Sequence, residues 1–101
     1  YNLLDRRSDG VLRYCTEHGI GFMPWFPIAS GELAEPGGPV AEIAEKFDAT
    51  AAQVALAWLL RRSSVMLPIP GTSSLAHAEE NVRAAELELD AESVEKLDAA
   101  A

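Results

Sequence analysis

Within Ser63 to Asn81, SSVMLPIPGTSSLAHAEEN, an apolar run passes through a Pro-Gly turn into a helix start. Apolar runs such as Val65 to Ile69, closed by proline and glycine, predict a strand buried on both faces, as in parallel sheets covered by helices. Pro70 and Gly71 turn the chain, and Ser74 stands where a hydroxyl caps a helix. A strand entering a helix through Gly-Thr-Ser-Ser makes a local anion site. The first helical amides point outward, the dipole is positive there, and Gly71 lets a ligand approach the backbone. Thr72, Ser73 and Ser74 add hydroxyl donors. His77 and Asn81, four apart, share a helical face. Neither common nucleotide signature is present: there is no G-x-G-x-x-G and no Gly-Lys-Ser/Thr. Many turns of this kind bind nothing, so the local chemistry does not name the anion.

The rest of the chain keeps the same rhythm. Tyr1 to Arg7 reads as a connection, with Tyr1 packing rather than performing chemistry. Ser8 to His18 predicts a helix capped by Ser8 and ended by Gly19. Val11, Leu12 and Cys15 form its inner face, and His18 sits favourably at its C-terminal end. Ile20 to Trp25 predicts a second buried strand, closed by Pro24. Residues 26–38 form a long connection broken by Pro27, Gly31, Pro36, Gly37 and Gly38, of the kind that often serves as a functional lid. Pro39 to Phe47 is amphipathic through Val40, Ile43, Ala44 and Phe47, with Pro39 at the first helical position. Thr50 and Gln53 form a capping box, and the helix behind them runs to Arg62. That helix is apolar around much of its circumference, which predicts burial against a sheet. Glu86 to Leu89 reads as a short extended piece. Asp90 caps a last helix, with Leu89 and Val94 as a hydrophobic staple. Helices alternating with short apolar runs indicate an α/β fold.

Composition removes several function classes. A chain of 101 residues makes one small domain or a piece of a larger one. It opens on Tyr-Asn-Leu-Leu-Asp-Arg-Arg without a methionine or an apolar leader, so an interior piece is expected. The net charge of −8 disfavours nucleic acid and, more mildly, anionic membranes. No apolar run reaches membrane-spanning length. Cys15 is the only cysteine, and the two histidines are far apart, so no protein-built metal site is expected. A cytoplasmic location is the default. The helix pair AEIAEKFDATAAQVALAWLL has the rhythm of a helix-turn-helix. Its second helix offers only Gln53 among alanines and lies in acidic surroundings, which disfavours DNA binding.

IPGTSSLAHAEEN resembles the last strand and helix of aldo-keto reductases. There Ile-Pro-Lys/Gly, followed by Arg/His-x-x-Glu-Asn, closes over the 2′-phosphate and adenine of NADP(H). YNLLDRR and PWFPIASGEL resemble two further blocks of that family, in its order and spacing. The resemblance implies that residues 1–101 are the C-terminal portion of a (β/α)8 TIM barrel, an incomplete domain with two barrel strands and flanking helices. It implies cofactor-binding roles for Trp25, Phe26, Pro27, Ile28, Ser30, Gly31 and Leu33 in the first block. In the second it implies them for Ile69, Pro70, Gly71, Thr72, Ser73, His77, Glu80 and Asn81. Trp25 matches the aromatic that stacks on the nicotinamide. The family's catalytic Tyr, Lys, Asp and His have no matching positions here. The implied whole protein is an oxidoreductase that reduces small aldehydes and ketones with NADP(H), with NAD(H) as the alternative cofactor, and is a monomer or weak oligomer. A non-catalytic, cofactor-sensing member of the same family is the alternative.

Overall fold

The computed structural model describes residues 1–25, 27–28 and 37–100. Among the described residues five α-helices follow in order: α1 (Asp9–His18), α2 (Pro39–Lys46), α3 (Ala51–Arg62), α4 (Leu75–Arg83) and α5 (Ala91–Asp98). A 3-10 turn, Ala84–Glu86, joins α4 to the segment before α5.

The core is built on α3. Val54 to Leu59 are all buried, with Val54, Trp58 and Leu59 almost completely so. They meet Leu12 of α1, Val40, Ile43 and Ala44 of α2, Leu97 of α5, and Leu3, Met66, Ala84 and Leu89 from the connections. Each large side chain fully removed from water contributes about 1.5–3 kcal/mol. The nearly all-round apolar character of α3 therefore decides its central place.

Helix ends follow local chemistry closely. Thr50 Oγ1 accepts the Gln53 amide at 3.1 Å, and Gln53 Oε1 accepts the Thr50 amide at 3.0 Å, which completes the capping box. Asp90 Oδ1 accepts the Ser93 amide at 2.8 Å. The same Asp90 carboxylate also pairs with Lys46 at 2.6 Å, tying α5 to α2. That ammonium, followed by the Ser93 hydrogen bonds, holds the Asp90 carboxyl well below the usual carboxylate range. Gly19 ends α1 in the left-handed region, at φ 65°. The end of α2 shares with it a backbone bond reaching five residues back, Ile20 to Cys15 in α1, but without a glycine. Asp48 adopts φ 52°, while the Ala49 amide reaches back to the Ala44 carbonyl and the Asp48 amide to Glu45.

Four expectations are corrected. Ser8 precedes α1 but makes no side-chain cap; its backbone, at φ −92° and ψ 19°, is not extended as a capping residue's usually is. Val11 is exposed, while Leu12 and Cys15 alone carry the buried face of α1. Glu86 belongs to the 3-10 turn, and the extended backbone begins only at Leu87. The largest correction concerns the two strands.

Among the described residues there is no extended strand ladder. A single parallel bridge joins Phe22 to Met66. The Phe22 amide donates to the Val65 carbonyl at 2.9 Å, and the Leu67 amide to the Phe22 carbonyl at 2.8 Å. Burial on both faces does not hold either. Met66 is buried, and Phe22 and Val65 pack against the core, but Met23, Leu67 and Ile69 are each more than half exposed. Side chains alternate across extended backbone, so α3 and its neighbours cover one face only. Leu67 lies across Gly21, where an added Cβ would stand 3.1 Å from Leu67 Cδ1. Of the two strands read from the sequence, the described residues show one parallel contact flanked by helices.

Candidate functional site

The parallel bridge sets the geometry of the site. Two segments that pair in parallel leave the bridge in the same direction. Trp25 lies shortly after Phe22, and Ile69 to Gly71 lie shortly after Met66, so both implied blocks leave the sheet contact on the same side.

On the first block, Trp25 is 76% exposed. It borders a groove of about 360 Å³ together with Tyr1, Asn2, Asp5, Arg7 and Ser8. Pro27 is buried, and Ile28 packs partly against the core. Phe26, Ser30, Gly31 and Leu33 lie outside the described residues.

On the second block, Ile69 is about half exposed, Pro70 is half-buried, and Gly71, Thr72, Ser73 and His77 are exposed. An added Cβ at Gly71 would meet nothing within 4 Å, so the backbone there borders open space. The Thr72 hydroxyl accepts the Ser74 amide at 3.1 Å, which tightens the turn and leaves its own O–H to donate. Ser74 is the N-cap of α4, as its sequence predicts; its hydroxyl accepts the His77 amide at 3.3 Å. The amides of Leu75 and Ala76 belong to the first turn and have no intrahelical acceptor. They, the dipole and the nearby hydroxyls form a cluster of donors facing solvent. Glu80 and Asn81 are half-buried. The Glu80 carbonyl accepts Gln53 Nε2 at 3.0 Å, so the α3 capping residue also fastens α4 in place. This bond matters because α4 has no fully buried side chain of its own.

Sequence reasoning missed how the first residues are held. Asn2 Oδ1 accepts the amides of Leu4 and Asp5, each at 2.9 Å, closing a tight turn. Arg6 donates to the carbonyls of Leu97 at 2.9 Å and Asp98 at 2.8 Å, at the C-terminal end of α5. Its guanidinium lies 4.7 Å from the Trp58 ring centre. Tyr1 stacks parallel to Trp58 at 6.2 Å and meets Phe22 edge-on at 5.9 Å. The Tyr1 hydroxyl donates to Asp9 at 2.7 Å and accepts Arg62 Nε at 3.0 Å. Burial pushes the Tyr1 hydroxyl up in pKa, while its hydrogen bond holds Asp9 down. Trp58 Nε1 donates to Asp98 at 2.9 Å. Arg6 and Asp98 are 92 residues apart, and no local pattern signals a contact across that distance.

His18 shows the opposite outcome. Its Nδ1 lies 2.9 Å from the Tyr14 carbonyl and its ring stacks on Tyr14, a satisfied helix-end residue as expected.

Comparison with known proteins places these features in a wider frame. The chain matches the Aldo/keto reductase family over residues 1–101. It is 50% identical over 98 residues to an uncharacterized oxidoreductase of Schizosaccharomyces pombe, covering 97% of this chain and 32% of that protein. It is 41% identical to the pyridoxine 4-dehydrogenase of Escherichia coli, covering 97% of this chain and 34% of that one. In structure it resembles a thermostable aldo-keto reductase crystallised with the inhibitor epalrestat. The TM-score is 0.91 at 32% identity, over 100% of this chain and 38% of the other. It also resembles an aldo/keto reductase from Klebsiella pneumoniae in complex with NADP and acetate. There the TM-score is 0.87 at 29% identity, over 98% of this chain and 36% of the other. The chain therefore spans about a third of the length of these relatives. A family match over residues 1–101, half-identity to an oxidoreductase and close superposition on reductase structures agree, and the chain belongs to the aldo/keto reductase family.

Proposed function

We propose that this chain is the NADP(H)-binding, C-terminal portion of a barrel oxidoreductase that reduces small aldehydes and ketones. The observation that carries the reading is the parallel contact of Phe22 with Met66, because it sends Trp25 and the Gly71–Ser74 turn out on one side. In barrels of this kind, the side reached from the C-terminal ends of the strands holds the active site. The chain's own residues suit such a cofactor. Gly71 opens onto free space, and the capped start of α4 presents the donors that an adenosine phosphate needs. Trp25 has an exposed ring on which a nicotinamide can stack. When bound, the nicotinamide supplies the hydride. Residues 1–101 would bind and orient the cofactor, and the acid that protonates the carbonyl oxygen would come from elsewhere in the whole protein. A second nucleotide, NADH, would bind the same site less tightly. The single cysteine, Cys15, buried and unpaired, suits a reducing cytoplasm.

The test is a fluorescence titration of the full-length protein with NADPH, before and after Trp25→Ala. Losing the stack should weaken binding by about 0.5–1.5 kcal/mol and slow turnover of a simple aldehyde. Unchanged affinity and turnover would remove Trp25 from the site, and no NADPH binding by the parent protein would overturn the reading itself.

A further inference from the structure

We propose that Arg6 is a positioning residue for the cofactor site, acting through the turn it anchors; this rests on the reading of Trp25 given above. Three of its N–H groups are engaged with backbone carbonyls. Nε donates to Leu3 within the turn at 3.1 Å, while Nη1 and Nη2 reach Asp98 and Leu97 at the end of α5. The guanidinium thus fastens the first turn of the chain to the last helix. Cations are favoured at a helix C-terminus, where carbonyls lack intrahelical donors.

The turn held in this way forms one wall of the groove that Trp25 borders, through Tyr1, Asn2, Asp5, Arg7 and Ser8. The link is also made through rings. Arg6 lies on Trp58, Trp58 stacks with Tyr1, and Tyr1 meets Phe22, which precedes Trp25 on the same segment. Asn2 closes the turn from within by accepting the amides of Leu4 and Asp5. Releasing Arg6 therefore frees a wall of the groove without removing any group that borders it. Sub-ångström changes in such walls are felt by a stacked ligand.

The experiment uses the full-length protein with Arg6→Met, Arg6→Lys, Trp25→Ala and the Arg6/Trp25 double variants. NADPH dissociation constants are measured at a temperature where circular dichroism shows each variant folded. Arg6→Met should raise the dissociation constant about fivefold, and its effect should largely vanish in the Trp25→Ala background, because positioning acts through Trp25. Arg6→Lys keeps the charge but cannot reach both carbonyls with a rigid fork, so it should fall between. If Arg6→Met does not fold, Arg6→Lys and its double variant carry the same comparison. A lowered melting temperature with unchanged NADPH affinity, or effects that simply add, would leave Arg6 a structural anchor and overturn the proposal. Failure of Trp25→Ala itself to weaken NADPH would instead count against the site reading.

Discussion

His77 stands on the first turn of α4 with its ring exposed and its amide held by the Ser74 hydroxyl. In the family's tightest 2′-phosphate pockets, as the resemblance implies, Lys follows Ile-Pro and Arg stands on the helix; here Gly71 and His77 take those places. A guanidinium presents a fixed, planar fork of donors to a phosphate, which an imidazole does not. The full-length protein is therefore expected to prefer NADPH over NADH only moderately. His77→Arg should tighten NADPH selectively by about 1–2 kcal/mol, through bidentate contact with the phosphate. Dissociation constants for both cofactors, before and after the substitution, check this. No selective gain from Arg would show that this position does not read the phosphate.

At the scale of the element, hydrogen bonds to helix ends decide where helices start and stop. Thr50, Ser74 and Asp90 each cap as their sequence positions predict, because the side chain and the amide it serves lie within three residues. Ser8 shows the limit of that reasoning. The residue type suits a cap, but the chain enters α1 through a turn in which the Asp9 amide donates to the Arg6 carbonyl, and Ser8 is not extended there. The end of α2 offers a prediction of its own. Asp48 holds a left-handed conformation that crowds its Cβ. Asp48→Gly should keep the two reverse hydrogen bonds and stabilise the protein by up to about 1 kcal/mol. Urea unfolding of the full-length protein measures it, and a destabilised variant would mean that the Asp48 side chain contributes more than its strain costs.

At the scale of the whole molecule, a well-buried helical centre contrasts with a nearly bare sheet contact. Leu3, Val54, Leu59 and Leu97 have no exposed surface, whereas Met23 is 62% exposed and Leu67 55%. One parallel bridge leaves the other edges of both extended segments without partners among the described residues. We therefore expect the 101-residue chain on its own to show helical circular dichroism, bind a hydrophobic dye and reduce no carbonyl compound. A sharp calorimetric transition accompanied by NADPH-dependent reduction of an aldehyde would overturn that expectation.

The features legible in the sequence were those whose causes are local. The periodicity of Val40, Ile43 and Ala44, the Thr50–Gln53 box, Gly19 at a helix end and the Ser74 cap each depend on residues within one or two turns. The motifs around Trp25 and Gly71 carried the family. Tertiary structure alone decided how far the two apolar runs pair, since a ladder needs partners that no single run specifies. It also decided which way Val11, Met23 and Leu67 face, because hydrophobicity favours burial but cannot supply a surface to be buried against. And it brought Arg6 to the end of α5 across nearly the whole chain, because carbonyls at a helix terminus can take a further donor from whichever fork the packing delivers to them.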